Sequence, residues 1–499
     1  MKGKALSGIV LMLLSASILA LAFDVRPARA QADPIYIRAD GSIDPSTAPI
    51  LTTDNVTYLL NGSIHGQIVV ERNDTVVDGA GYSVSNGGGA YGMFSFGIDL
   101  TERNNVTIKN VTITDCLIGI LINSSSNISI IGNSIEDHCI YGVYINGSSI
   151  GVSISGNTFT INSEEVWVDS SSNCIISGNN VEPSYGDGII MENSSDNIIS
   201  ANTMSGHYVV KLENSSNNSI DGNIITPGDI FYSPLYGIYL SDSSNNNISA
   251  NDISGIFRNC EVFVGSSTGN RISGNIIDGT DEYGLFLESS SNNAISGNVI
   301  NETYSAASKT YPPIFFPPAP YGVVLYSSSS NSIVGNNITS ISYSIIVAFL
   351  SSWNRICYNS FVSDSLPVLS LNSINTWDDG KRGNYWSNYN GTEKNHDGIG
   401  DTPYIIDSQN IDHFPIMGAT RASQVPIWAS LMVALVNDAV ILMSPSQVPI
   451  WASLIAALVI DAAALIALLA FLIMRRRQIQ EQRKKKEAEE NKEWEEKKW

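Results

Sequence analysis

Two groups of oxygen-bearing residues in this 499-residue chain have the types and spacing to do chemistry. The first lies near residue 400. Glu393, Asn395 and Asp397 are followed by Gly398, the carbonyl of Ile399, and Asp401. Oxygen donors thus fall at positions 1, 3, 5, 7 and 9 around a glycine at 6, which is most of an EF-hand-type calcium loop. Position 12, where a bidentate Glu would close the shell, is Tyr404. The run reads either as a structural Ca2+ site, with Asp378 and Asp379 available to complete it, or as a turn-rich cap.

The second group is a strip. Asp115, Asp137, Glu164 with Glu165, Asp187, Asp229, Asp278 with Asp281, and Glu302 recur at similar phase. Tyr141, Trp167, Tyr185, Tyr208 and Tyr283 follow at nearly the same phase. Rings beside acids can bind a glycan, and two carboxylates about 5–9 Å apart can hydrolyse one. The catalytic candidates are Asp137, Glu164, Glu165 and Asp187; the five aromatics are the binding candidates. The plainer reading is that the acids solubilise turns and the rings open the strands that follow. Lyase chemistry is not expected, because residues 31–426 hold 13 Lys/Arg against 38 Asp/Glu. That field repels a polyuronate and equally argues against nucleic acid. No Ser/His/Asp order or nucleophile elbow is present.

The elements that must position these residues are one repeat read many times. An apolar-x-Gly-Asn-x-apolar pattern recurs, as in Ile130-Ile131-Gly132-Asn133-Ser134-Ile135. Its Asn residues are Asn110, Asn133, Asn157, Asn179, Asn202, Asn223, Asn251, Asn275, Asn298, Asn336 and Asn359. Most gaps are 21 to 24 residues, and a fixed period of that size means a solenoid. The repeats carry Ile, Val, Ser, Asn and Gly, with about three short strands per period, which selects β over leucine-rich or helical repeats. The expected fold is an all-β, right-handed parallel β-helix of about twelve coils of ~23 residues, roughly 60 Å long. Asn suits a tight left-handed corner and can stack in an amide ladder, so the Gly-Asn pairs are expected to be structural.

These repeats resemble those of the carbohydrate-binding and sugar-hydrolase β-helices, and most of all the NosD-like proteins. Two further stretches carry the resemblance: the entry, Ile37 to Pro45 and Val69 to Tyr82, and the exit, Gly383 to Tyr389, Gly398 to Tyr404 and Ile411 to Pro415. It covers about residues 36–417 and implies the fold; NosD-like surface proteins are common among archaea. The family name points to copper, but His65, His138, His207, His396 and His413 include no His-x-His and no Met-rich tract accompanies them. A copper site is therefore not expected. Cys116 and Cys139 each follow a corner Asn by six residues and should stack, as a thiol pair or a disulfide.

The ends set the compartment. Lys2 and Lys4 precede an apolar stretch and the small-x-small site Ala28-Arg29-Ala30, so residues 1–30 read as an export signal. Ile450 to Met474 holds one charge, Asp461, and is followed by Arg475-Arg476-Arg477, so 449–474 reads as a transmembrane helix and 475–499 as a cytoplasmic basic tail. Between lie an entry cap (31–80), the β-helix (81–375), a C-terminal cap (376–420) and a juxtamembrane segment (421–448), in which Ser423–Leu431 recurs as Ser446–Leu454. The expected protein is a single-pass, cell-surface β-helix that binds polysaccharide or a surface protein without catalysis. A polysaccharide hydrolase and an accessory factor for metalloenzyme maturation are the alternatives. A Pro-rich stretch between Tyr304 and Tyr321 interrupts the period.

Overall fold

The computed structural model describes residues 33–86, 95–137, 140–182, 186–228, 234–279, 283–302, 320–364 and 366–418. The expected export signal, the 423–454 duplication, the apolar run 450–474 and the basic tail lie outside them, as do His138, Cys139, Tyr185, Asp229 and Asp281. Among the described residues there is no helix, and hence none long and apolar enough to cross a membrane.

The chain winds through three stacked sheets of 15, 14 and 14 strands, here called I, II and III. One coil gives the rule. Tyr141–Asn146 lies in sheet I, Ser153–Ser155 in sheet II and Thr158–Thr160 in sheet III. Glu164–Asp169 then returns to sheet I, parallel to Tyr141–Asn146. This is the parallel β-helix that the period implied. Side chains alternate along each strand, so Val143, Ile145, Ile154 and Phe159 point inward and are fully buried. Their register partners one coil on, Val166, Val168, Ile176 and Val181, are buried too. Burying each such side chain contributes about 1.5–3 kcal/mol, and stacking β-branched residues along the axis makes the core continuous.

The three corners differ. Between sheets II and III the connection is two residues, Gly-Asn in most coils. Gly156 has φ 63°, a left-handed conformation that glycine adopts without strain. Asn157 is buried and donates through both N and Nδ2 to Asn179 Oδ1, at 2.9 and 3.0 Å. Its Nδ2 also reaches Ile130 O of the preceding coil at 2.9 Å. Each rung uses an acceptor and a two-proton donor on one short side chain, which only Asn supplies. The ladder runs from Asn133 through Asn157, Asn179, Asn202, Asn223, Asn251, Asn275, Asn298, Asn336 and Asn359 to Asn384.

Asn110 stands outside this ladder, contrary to expectation. Lys109 pairs with Ile131, so Asn110 takes the place of Gly132 and Val111 that of Asn133. Asn110 is exposed at φ 54° and donates to Asp78 Oδ1 at 3.2 Å. Without a glycine to mark the corner, its phase was one residue off.

The corner between sheets I and II holds two further ladders. Ser171, Ser194, Ser215 and Ser243 form one, each backbone N donating to the next hydroxyl. Asn197, Asn218, Asn246 and Asn270 form the other, rung for rung like the first Asn ladder. The corner between sheets III and I has no fixed length. It is one residue, His207, between Gly206 and Tyr208, and eighteen between Glu302 and Tyr321.

The parallel stack extends into the stretches expected as caps. Ile35–Ile37 already pairs in parallel with Ile68–Val70, and Tyr385–Trp386 with Ser360–Ser363. The exit closes both Asn ladders. Asn410 Oδ1 accepts Asn375 N and Trp377 Nε1. Asp412 accepts Asn384 N at 2.7 Å, Trp386 Nε1 at 2.9 Å and Phe414 N at 3.1 Å. The last rung needs to donate to no further coil, so an acceptor-only carboxylate can stand there. Burial pushes the Asp412 carboxyl up to about 6 against those three donors.

Candidate functional site

Sheet I strands are six residues long in most coils. The third and fifth residues fill the core; the first, fourth and sixth face outward. The second is usually glycine, because an added Cβ at Gly142 would meet Glu165 O at 2.6 Å, and at Gly237 would meet Glu261 O at 2.7 Å. Each outward strand start follows directly on the variable corner. The outer face of sheet I is therefore where sequence is least constrained by the fold.

Register sorts its residues into columns. The first column runs Tyr141, Glu164, Asp187, then Tyr208, Tyr236, Cys260, Tyr283 and Tyr321. The fourth-position column runs Tyr144, Trp167, Ile190, Lys211, Tyr239, Phe263 and Phe286. The sixth places Asp169, Glu192 and Glu213 side by side.

Three zones result along the rod. At the N-terminal side, Tyr141 stacks on Tyr144 with ring centroids 4.9 Å apart, and Trp167 meets Tyr141 edge-on at 5.0 Å. A charged zone follows. His207 Nδ1 lies 3.5 Å from Asp187 Oδ1, which also accepts Tyr208 N at 3.1 Å. Lys211 Nζ pairs with Glu213 Oε1 at 3.1 Å and sits 5.5 Å from the Tyr208 ring centroid. Tyr208, Tyr236 and Tyr239 then form a second ring cluster, with centroids 5.0 to 5.4 Å apart. Farther on, Phe263, Tyr283, Phe286, Tyr321 and Val324 are buried in a cluster of their own.

The electrostatics follow from this crowding. Burial and the neighbouring Asp187 raise the Glu164 carboxyl above its ordinary value. Burial and Glu213 raise Glu192, with Lys211 opposing. Burial, then the Glu164 charge, pushes the Tyr141 phenol to about 12, so it remains a hydrogen-bond donor at neutral pH.

The expected site residues are thus partly gathered. Glu164 and Asp187 are in-register neighbours, with Tyr141 and Tyr208 at their ends. Trp167 belongs to the same face but to the fourth-position column, and Tyr283 lies in the buried cluster. Glu165 is corrected: it occupies the second strand position, points inward, and is fully buried against the Asn162 side-chain amide, which donates to it. Burial raises its carboxyl to about 7. Asp137 is likewise off the face, an exposed corner residue at φ 59°. Sequence reasoning missed Tyr144, Tyr236, Tyr239 and Lys211. The signal was available: Tyr-Gly-x-Tyr repeats at 141–144 and 236–239 put two rings on one face of one strand.

In the exit loop the expected ligands make bonds within the loop. Glu393 Oε1 accepts Gly398 N at 2.6 Å, Asp397 Oδ1 accepts Ile399 N, Asn395 Nδ2 donates to Asp397 Oδ2, and Asp401 N donates to Thr392 O. Asp378 is engaged by His413, and Asp379 by the Tyr358 hydroxyl and two backbone N–H groups. Among the described residues no three His, Cys, Asp or Glu are arranged to hold a metal ion. His65, His207 and His413 lie in different coils, beside Ser85, Asp187 and Asp378. Cys116 is buried, with Sγ 3.2 Å from Thr114 O.

Several solved structures match this chain at low similarity. A DFA-IIIase from Arthrobacter chlorophenolicus A6, in complex with GF2, matches at 14% identity and TM-score 0.36 over 50% of this chain and 69% of its own. The Dettilon tailspike protein matches at 14% and 0.37 over 61% and 62%. The periplasmic alginate epimerase AlgG matches at 13% and 0.35 over 66% and 80%. No curated protein sequence matches. The family model for the periplasmic copper-binding protein NosD matches residues 73–230 and 227–391. With well over half its length matched in this way, the chain belongs to the NosD family.

Proposed function

We propose that this is a membrane-tethered surface β-helix whose sheet I face binds a neutral polysaccharide. The observation that carries this reading is the in-register set of half-buried rings on both sides of the Glu164, Asp187, Glu192 and Glu213 carboxylates. Rings offer flat apolar surface to the C–H faces of sugars. Carboxylates accept hydrogen bonds from their hydroxyls, a pattern that fixes orientation within an apolar site. The excess of 38 acidic over 13 basic residues in 31–426 selects a neutral chain over a polyanion. Read as an export signal and an anchor, residues 1–30 and 449–474 would put this face outside the cell. The test is a glycan array with the secreted 31–420 segment, followed by calorimetric titration of the best neutral ligand. Binding confined to polyuronates, or none to any glycan, would refute the reading.

One observation favours a second reading, hydrolysis. Glu164 and Asp187 are register partners on adjacent parallel strands, which lie about 4.8 Å apart, near the carboxyl spacing of a retaining glycosidase. The raised Glu164 carboxyl fits the acid. A reducing-sugar assay on the bound glycan separates the two, since a binder releases no new ends.

A further inference from the structure

We infer that the corner between sheets I and II in the last coils is a lipid-contacting patch, built from Phe349, Leu350, Trp353 and Ile374 and selective for an anionic membrane surface. The inference starts from a break in the repeat. In this corner one position takes a left-handed φ coil after coil, and it is filled by Asn127, Asn173, Asp196, Asn217, Asn245, Gly269, Asn292 and Ser330, all at φ 54° to 70°. Small polar residues and glycine are what that conformation favours. In the next coil the same position is Trp353, at φ 62° and 77% exposed. Two residues at the start of that corner, Phe349 and Leu350, are also left-handed, at φ 55° and 65°, and Leu350 is 75% exposed. The other six-residue version of the corner meets the same demand with Gly147 and Ser148. The chain therefore accepts strain to hold Leu350 and Trp353 in water, where they contribute nothing to the core, with Phe349 beside them, half out, its ring centroid 4.5 Å from that of Tyr326. Strained, exposed apolar residues mark function rather than folding.

The next coil joins the patch, since Trp353 N donates to Ile374 O at 2.8 Å and Ile374 is exposed. Two further observations select lipid as the occupant. Arg355, two residues from Trp353, is exposed, as are Lys381 and Arg382. Against Asp378 and Asp379 these three cations leave a local excess of one positive charge, on a body with about three times more acids than bases. Asp378 is bonded to His413, and Asp379 to the Tyr358 hydroxyl and to the Lys381 and Arg382 backbone. Trp, Leu and Phe with flanking cations are the chemistry of the membrane interface. The described residues also end at Gly418, with 31 residues, 419–449, between it and the apolar run that starts at Ile450. This last argument rests on the anchor reading; the strain, exposure and charge do not.

The described residues of both core clusters lie between Ile35 and Ile406, so the 31–420 segment carries the core they form and can be tested alone. It should co-sediment with phosphatidylglycerol/phosphatidylcholine vesicles, less so at high salt. The Leu350→Gly/Trp353→Asn variant should lose at least tenfold in bound fraction. Its melting temperature should hold or rise, because both replacements suit a left-handed φ, so lost binding is not unfolding. Wild type that ignores the vesicles, or a variant that binds them equally, overturns the inference. Carbonate extraction of the full-length chain tests the anchor separately. A chain that is extracted refutes the anchor and leaves the vesicle result standing.

Discussion

The corner between sheets II and III and the outer face of sheet I lie on the same coils and obey opposite rules. The corner is two residues long in every coil from Gly132-Asn133 to Tyr358-Asn359, and its Asn side chain bonds both up and down the stack. The face changes from rings to acids and back within five coils, after a connection that varies from one residue to eighteen. Buried polar groups must be satisfied identically at each level, so the corner cannot drift. Outward side chains owe the fold little and can be spent on ligands. In a solenoid, then, what repeats is scaffold and what breaks the repeat is the place to look for function.

The largest test of the corner is Asn202→Ala. Asn202 donates to Ile176 O and Asn223 Oδ1 and accepts Asn179 N and Nδ2, all at 2.9 to 3.0 Å. Removing it leaves several buried groups unmatched, at about 1–3 kcal/mol each, so denaturant titration should show a loss of about 3–5 kcal/mol. Thr158→Ala, on the exposed side of sheet III, should stay within about 0.5 kcal/mol. Comparable losses would erase the distinction between corner and surface.

Glu165 sharpens the contrast between the two sides of one strand. Its folded carboxyl is raised from the ordinary 4.5 to about 7. The folded chain therefore holds this proton more tightly than the unfolded chain. Its contribution to stability is greatest below about 4.5, falls as the pH rises from there to about 7, and is flat above. Glu165→Gln should flatten that part of the melting-temperature profile and stabilise the protein at pH 8, by up to about 3 kcal/mol. Glu164→Gln, on the outer side, should leave the slope largely in place. An unchanged slope in Glu165→Gln would put the proton elsewhere.

Much of the fold was legible because its two strongest signals are chemical necessities: β-branched residues at alternate positions, and Asn with Gly at a left-handed corner. The misplacement of Asn110 shows the limit. Either residue of the Lys-Asn-Val-Thr run could have held the corner, and only pairing with Ile131 settles the phase. The Ser and second Asn ladders went unread because Ser-Ser-x-Asn looks like ordinary turn composition. The face was half legible. Glu164 and Glu165 are adjacent in sequence but on opposite sides of the sheet, and which one faces outward depends on the strand's start, set by a corner of variable length. Trp353 broke a positional rule that becomes visible only once the coils are aligned.

The smallest expected effect concerns the exit loop. If Glu393, Asn395, Asp397, the Ile399 carbonyl and Asp401 hold Ca2+, the ion must replace the bonds the loop makes to itself. Binding would then raise the melting temperature by a few degrees at millimolar calcium. Asp397→Ala with Asp401→Ala should remove the rise. A rise that persists in the double variant would place the ion outside this loop.

The central claim is that the rings and acids on the outer face of sheet I bind glycan. Titration calorimetry of the secreted 31–420 segment with its best neutral oligosaccharide tests it most directly, comparing wild type, Tyr208→Ala, Trp167→Ala and the distant Thr158→Ala. The account predicts at least tenfold weaker binding for each ring variant, about 1.4 kcal/mol or more, with Thr158→Ala unchanged. Ring variants that bind as tightly as wild type would contradict it.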